Sequence, residues 1–420
     1  MSRILLLTQV LPWPLDAGPK VRAHYMLRHL AAQHEVTLVS FVRADDKPEY
    51  VEHLRGIAAA VHPLPILRSL ARNMRAGVKG LATGLPIVIA RDEMPAMTTL
   101  LDRLAQTTSF DLVHADQLSM AGWGQRAVAA AARAGKRPAT LLDEHNAIYH
   151  LTERMAAEDS GLRRLIAQRE AHAFRRYEKD MVRRYDAVLT VTEEDRGLLL
   201  DLFDQPERAA LAEKFTVVPI CVDPAQTAPV IHSPLSTNDP APTMLHLGTM
   251  FWPPNVAGVL WFAREVLPQI WRQLPNARFV VVGKNPPPEV QALATDPRII
   301  VTGYVADPQP WLAEADAFIV PLHSGGGMRV KILDAWLWGL PIVSTTIGAE
   351  GISLHAGETI LLADTPHDFA DAVQRVLSDS QLNQQLRQAG RRWVEETYAW
   401  PVVYRRVDAV YQHLLARSSR

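Results

Sequence analysis

Short apolar runs alternate with longer stretches of helical periodicity along almost the whole chain. Ile4-Leu5-Leu6-Leu7-Thr8 predicts a buried strand, a Pro/Gly loop follows through Gly18, a helix begins near Val21, and Glu35–Phe41 predicts a second strand. Strand, loop, helix and strand in some forty residues is a βαβ unit with its loop at the strand's carboxyl end. Further strands are predicted at Leu112–His114, Ala139–Leu142, Ala187–Val191 and Thr216–Pro219, and one long helix from about Leu151 to Arg184. From Asp223 to Thr243 the periodicity stops among five prolines, which predicts a linker, placed at residues 226–242. Alternation then resumes with strands at Thr243–Leu247, Arg278–Val282, Ile299–Thr302, Ala317–Val320, Ile342–Ser344 and Thr359–Leu362. The expected organisation is a doubly wound domain over 1–225, a second over 243–400 and a closing helix over 401–420. Ligands of such sheets bind at the carboxyl ends of the strands.

Composition narrows the function classes. Forty-four Lys and Arg balance 45 Asp and Glu, which offers no general argument for a nucleic-acid partner. The single cysteine, Cys221, excludes an internal disulfide framework and a cysteine-rich zinc site. The first apolar run is too short for a secretion signal and no stretch reaches the ~20 apolar residues of a membrane span, so a cytoplasmic chain is expected.

The sharpest chemical signal is Ser324-Gly325-Gly326-Gly327-Met328-Arg329-Val330-Lys331, which follows a strand and opens a helix. Glycines permit close backbone approach, and a helix start offers free N–H groups and partial positive charge. Two cations in a first turn are misplaced for a structural helix, which points to an anionic ligand such as a diphosphate. Asp334 follows a turn and a half later, placed to accept sugar hydroxyls. A flexible loop with two solvated charges is the alternative. The loop is not a Walker motif, and no GxGxxG follows either domain's first strand, which weakens dinucleotide chemistry. In the first half, His114 and Asp116, and then Asp143-Glu144-His145-Asn146, fall at predicted strand ends, where a histidine beside carboxylates can act as base, donor or ligand. A metal needs three convergent ligands, and none is expected.

Between Glu52 and Asp92 no acidic residue occurs, while Arg68, Arg72, Arg75 and Lys79 recur with apolar residues between them. Residues 66–80 therefore offer either a helix that meets anionic lipid, each cation worth ~1 kcal/mol, or a basic face paired with carboxylates of the fold. The stretch lacks the aromatic residues of a nucleic-acid platform.

Together these stretches resemble glycosyltransferase family 4, with the GT-B fold of two Rossmann-like domains facing across a cleft, and most closely the bacterial exopolysaccharide-associated transferases. The likeness rests on Pro12–Gly18 with Arg22, Phe110–His114, Tyr185–Val188 with Thr192–Asp195, Leu247–Met250, Val301–Val305, Gly325–Ala335, Gly339–Thr345 and Tyr398–Trp400. It implies a retaining transferase that moves a sugar from a nucleotide-diphosphate donor to a saccharide or lipid-linked acceptor, with no cofactor and no metal. By resemblance Gly325, Gly326 and Gly327 surround the diphosphate, Asp334 the ribose, and Gly303-Tyr304-Val305 the base. Gly248 lies on the donor side, and Gly18 approaches the phosphates from the first domain. His114 contacts the transferred sugar, Asp116, His145 and Asn146 line the acceptor side, and the last helix returns to the first domain. The family's paired glutamates, eight positions apart, are replaced by Gly326 and Asp334. The Arg and Lys common after the second domain's first strand give way to Phe251-Trp252-Pro253-Pro254-Asn255, so Arg329 and Lys331 are expected to neutralise the leaving diphosphate. A sugar-nucleotide epimerase or hydrolase, a non-catalytic sugar-nucleotide binder and, third, a nicotinamide oxidoreductase are the competing readings.

Overall fold

A computed structural model describes residues 1–66, 69–158, 160–225, 227–229 and 241–418. These residues divide into two units: Met1–Cys221 with Val403–Arg420, and Val222–Val402. The proline-rich stretch read as a linker lies largely outside the described residues.

In the first unit seven strands, β1 (Arg3–Thr8), β2 (Glu35–Val42), β3 (Ala60–Pro65), β4 (Leu112–Asp116), β5 (Ala139–Glu144), β6 (Ala187–Thr190) and β7 (Phe215–Val217), form one sheet in the order β3-β2-β1-β4-β5-β6-β7. Every pairing is parallel. The central strands are apolar on both faces because helices cover both: Ile4, Leu5, Leu6 and Leu7 are all essentially inaccessible. β3 escaped the sequence reading because Pro63 and Pro65 mask it. It is an edge strand, where a missing N–H is tolerated. The single long helix expected from Leu151 to Arg184 is two, Ile148–Glu158 and Gly161–Arg184. Ser160 is extended at φ −132° and ψ 161° as the cap of the second helix, which opens on Gly161 at the left-handed φ of +57°.

The final helix, Arg405–Ser418, belongs to the first unit. His29 Nε2 lies 2.6 Å from Asp408 Oδ1, and the Tyr404 hydroxyl donates to the backbone carbonyl of Arg22 at 3.2 Å.

The second unit repeats the plan with β8 (Thr243–Leu247), β9 (Arg278–Val282), β10 (Ile299–Gly303), β11 (Ala317–Val320), β12 (Ile342–Ser344) and β13 (Leu361–Leu362), ordered β10-β9-β8-β11-β12-β13 and parallel throughout. Trp336 anchors its core. The ring is fully buried, its indole N–H donates to the Thr359 carbonyl at 2.8 Å, and Gly390 leaves the room a side chain would fill. Strand order reverses between β1 and β4 in one sheet and between β8 and β11 in the other, the points where such sheets open a crevice at their carboxyl edge.

Candidate functional site

At the first unit's switch point, Thr8, Asp116 and Asp143 stand in register at the ends of β1, β4 and β5. Asp143 is fully buried and gripped by Arg22, whose Nε lies 2.9 Å from Oδ2 and Nη2 2.7 Å from Oδ1, while Nη1 donates to the Val218 carbonyl at 2.6 Å. Burial alone would raise the Asp143 carboxyl, but Arg22, His145 and His114 together hold it below the usual carboxylate range.

The family resemblance gives His114 a contact with the transferred sugar. The histidine lies inside β4, two residues before the strand's end, and is fully buried. Its Nδ1 is 2.7 Å from the Tyr411 hydroxyl of the final helix, and burial pushes the imidazole down to about 4. The ring is neutral and tied to the C-terminal helix through Nδ1, while its Nε2 has no hydrogen-bond partner among the described residues and lies 3.9 Å from Asp143 Oδ2. The residue at the strand's end is Asp116, whose Oδ1 lies 2.9 Å from His145 Nε2. His145 and Asn146 occupy the half-buried loop after β5, so the three acceptor-side candidates adjoin one another. Glu144, next to Asp143 on a strand, points to the opposite face and is buried near Glu178 and Asp195. Burial and those charges raise it well above the ordinary range. Asp116, Asp143 and His145 bring ligand-type atoms within 4.8 Å of one another, but a cation there would compete with Arg22 for Asp143.

The second unit's switch point is built differently. After β11 the loop runs through Ser324–Gly327 into the helix Val330–Trp338. Gly325 (φ +113°) and Gly327 (φ +78°) need left-handed backbone, and a Cβ at Gly325 would meet Trp252 at 2.9 Å. Arg329 is the residue before the helix, not part of its first turn. Its guanidinium donates to the Gly326 carbonyl at 2.7 Å, lies 3.5 Å from Glu350 Oε2 and is 4% exposed. Without ligand, Arg329 therefore holds the glycine loop from within.

Lys331 is the cation that remains at the loop. Its Nζ donates to Asn255 Oδ1 at 2.9 Å, and a Cβ at Gly248 would lie 2.9 Å from it, so only glycine after β8 leaves space for the ammonium. Burial, then the nearby charge of Arg329, pushes Lys331 down to about 7. Asp334, half-buried on the same helix, has no hydrogen-bond or ion partner among the described residues, and burial pushes its carboxyl up to about 7. Gly303 ends β10 at φ +71°, followed by exposed Tyr304 and half-buried Val305. Gly18 starts the helix Gly18–Ala31 in the first unit. Sequence reading missed Asn255. It is buried, holds Lys331 with its carbonyl and donates to the Thr249 carbonyl at 2.9 Å. The available signal was an amide just after Pro253-Pro254 at a helix start.

Two family descriptions match the chain: a glycosyl transferase 4-like domain over residues 17–219 and glycosyl transferases group 1 over residues 241–379. Both matched domains are glycosyltransferase domains and together they span most of the chain, which is a glycosyltransferase. Among similar proteins, the capsular polysaccharide biosynthesis glycosyltransferase CapM of Staphylococcus aureus is 22% identical over 129 residues, 30% of this chain and 33% of that one. A GDP-mannose-dependent α-(1-6)-phosphatidylinositol monomannoside mannosyltransferase of Mycobacterium tuberculosis is 31% identical over 149 residues, 32% of this chain and 39% of that one. The chain therefore matches little more than a third of the length of these curated relatives. The structure of Anabaena Alr3699/HepE in complex with UDP and glucose superimposes with a TM-score of 0.65 at 12% identity, covering 98% of this chain and all of that one. That likeness identifies the glycosyltransferase's fold as GT-B.

Proposed function

We propose that the protein is a retaining, metal-independent glycosyltransferase that moves a sugar from a nucleotide-diphosphate donor to a saccharide or lipid-linked saccharide acceptor in cell-surface or exopolysaccharide synthesis. The carrying observation is Lys331, an enclosed ammonium beside a glycine loop and a helix start, with a carboxyl at Asp334 that no group among the described residues satisfies. The names of the relatives, a capsular polysaccharide enzyme and a mannosyltransferase acting on a phosphatidylinositol glycolipid, support the acceptor class. An epimerase or hydrolase is not favoured, because both matching family descriptions are of transferases.

In this reading the diphosphate lies against Gly325–Gly327 and the N–H groups opening Val330–Trp338, with Lys331 countering the charge that grows on the leaving oxygen. Asp334 accepts from the ribose hydroxyls, and Gly303-Tyr304-Val305 approach the base. The bond from the anomeric carbon to the diphosphate oxygen breaks as the acceptor hydroxyl bonds to that carbon on the same face, and the hydroxyl proton leaves with the diphosphate. Asp116, His145 and Asn146 are the groups available to the acceptor. No helix among the described residues is long and apolar enough to cross a membrane. A cytoplasmic location, with contact to the inner membrane face through residues 66–80, is part of the same reading. Residues 67 and 68 of that segment lie outside the described residues.

Calorimetric titration with UDP, GDP and ADP, each with and without EDTA, tests the proposal. EDTA-insensitive binding of one diphosphate, weakened at least tenfold in Lys331→Ala, is the expected result. Binding of none, or binding lost on chelation, overturns it.

A further inference from the structure

The helix Leu70–Thr83 turns its apolar side outward. Leu70, Met74, Val78 and Leu81 are 82%, 68%, 70% and 71% exposed, while Ala76 and Gly80 are the residues it buries. At 100° per residue the four exposed side chains fall within one stripe about 80° wide, directed away from the protein. A second group of exposed apolar residues lies on another helix. Leu162, Leu165 and Ile166 are exposed at the start of the helix Gly161–Arg184, one turn before Arg169, which donates to the carbonyls of Gly80 and Leu85. An exposed apolar helix face of this kind marks an interaction surface.

Beside the stripe lies a groove of about 820 Å³, lined by Arg72, Arg75, Lys79, Arg91, Trp123 and Arg126 against the single acid Glu93. Lys79 pairs with Glu93, Arg91 with Asp92, and Arg126 lies over the Trp123 ring at 6.0 Å. Arg75 reaches the groove with no partner among the described residues. The groove adjoins a smaller pocket of about 250 Å³ through their shared Glu93, Trp123 and Arg126, and Leu85 and Ile89 add apolar walls there. The basic segment is thus only partly the internally paired face that its sequence also allowed.

We infer that this face docks on an anionic phospholipid bilayer, with Leu70, Met74, Val78 and Leu81 entering the acyl boundary and the groove around Arg75 and Arg126 holding a headgroup phosphate. Charge complementarity selects the occupant. A second copy seated on this face would bring its own cationic rim against this one, whereas an anionic leaflet neutralises it. The inference deepens the membrane contact proposed above and rests on that reading. It adds the headgroup site and the second helix, which nothing in the sequence assigned. It also bears on the acceptor, because Trp123 and Arg126 sit on the helix Leu118–Arg133 that follows Asp116 at the end of β4.

Sedimentation of the full chain with vesicles of phosphatidylcholine, alone or with about one-third phosphatidylglycerol, tests the inference. Wild type is expected to pellet with the anionic vesicles, less so as salt rises. Arg75→Glu with Arg126→Glu is expected to weaken binding at least ~10-fold, and Met74→Ser with Val78→Ser and Leu81→Ser to abolish it, both variants keeping their circular dichroism. Equal binding to neutral vesicles, or no effect of the arginine changes, overturns the headgroup site. A concentration-dependent dimer in light scattering that the serine variant dissolves assigns the face to a second copy instead. Binding of free glycerol phosphate without vesicle binding reduces the groove to a small-anion site, and also overturns the proposal. Diphosphate titration of the same preparations reads the donor site separately, so failure on vesicles with intact diphosphate binding rejects the docking face alone.

Discussion

The two units present charge at equivalent places, the carboxyl edges of their switch points, and treat it in opposite ways. In the first, the Arg22 and Asp143 charges pair in the interior and His114 Nδ1 meets the Tyr411 hydroxyl of the C-terminal helix, while the neutral His114 Nε2 has no hydrogen-bond partner among the described residues. In the second, Arg329 is enclosed by its own loop, but Lys331 has one neutral partner and Asp334 has none among the described residues. A charge that the protein has already neutralised holds the fold. An enclosed charge left uncompensated waits for a ligand, because desolvation without pairing is tolerated only where binding returns the missing interactions. The two edges should therefore respond differently to mutation.

The largest contrast is Arg22→Ala, which strands the buried Asp143 carboxylate and is expected to destabilise the protein by about 3–5 kcal/mol in urea unfolding. Replacing both partners, Arg22→Met with Asp143→Leu, should recover much of that loss. A single variant within about 1 kcal/mol of wild type would mean that this edge is not a closed structural network. Lys331→Ala should do the reverse. Turnover at saturating acceptor falls at least ~10-fold, about 1.4 kcal/mol, while the ligand-free chain keeps its unfolding midpoint or gains slightly. A smaller fall in turnover removes Lys331 from the chemistry.

Tyr411→Phe sharpens the contrast at lower cost, about 1 kcal/mol, by leaving His114 Nδ1 without its hydroxyl. It should change stability without changing the affinity for diphosphate.

The smallest effect is on pH. Burial and Arg329 lower Lys331 to about 7 without ligand, and an adjacent diphosphate raises it again. Binding near pH 7.5 should then take up a fraction of a proton, and affinity should fall as pH rises through about 7 towards the bound-state value. Calorimetry in two buffers of different ionisation enthalpy measures the uptake, and Lys331→Met should abolish it. Asp334 adds the opposite linkage in the ligand-free state. Its raised carboxyl loses stability as pH climbs from about 4 to 7, so Asp334→Asn should stabilise the free chain at pH 8 more than at pH 4.

Much of the fold was legible because burial on both faces writes parallel strands as unbroken apolar runs. β1, β2, β8 and β9 were all readable this way. β3 was not, because its prolines are acceptable only at an edge, and edge position is a property of the sheet. The break at Gly161 was similarly hidden: one glycine within helical periodicity reads as a weak spot until its φ is known. At the site, the glycine loop, Lys331 and Asp334 were visible as a local pattern. Asn255 was not, since its partner is 76 residues away in the chain.

By itself the sequence determined two doubly wound α/β units, a glycine-rich helix start with misplaced cations, and a basic segment free of acids, because hydrophobic period and local composition are short-range properties. Only the tertiary structure decided which of the candidate groups are paired within the protein. His114 and Arg329 carry the same residue-level credentials as Asp116 and Lys331. What separates them is three-dimensional: the C-terminal helix lays Tyr411 over one, and Glu350 and the loop carbonyls close around the other. Burial and pairing between distant residues set a side chain's charge and reach, and neither can be read from its neighbours in the chain.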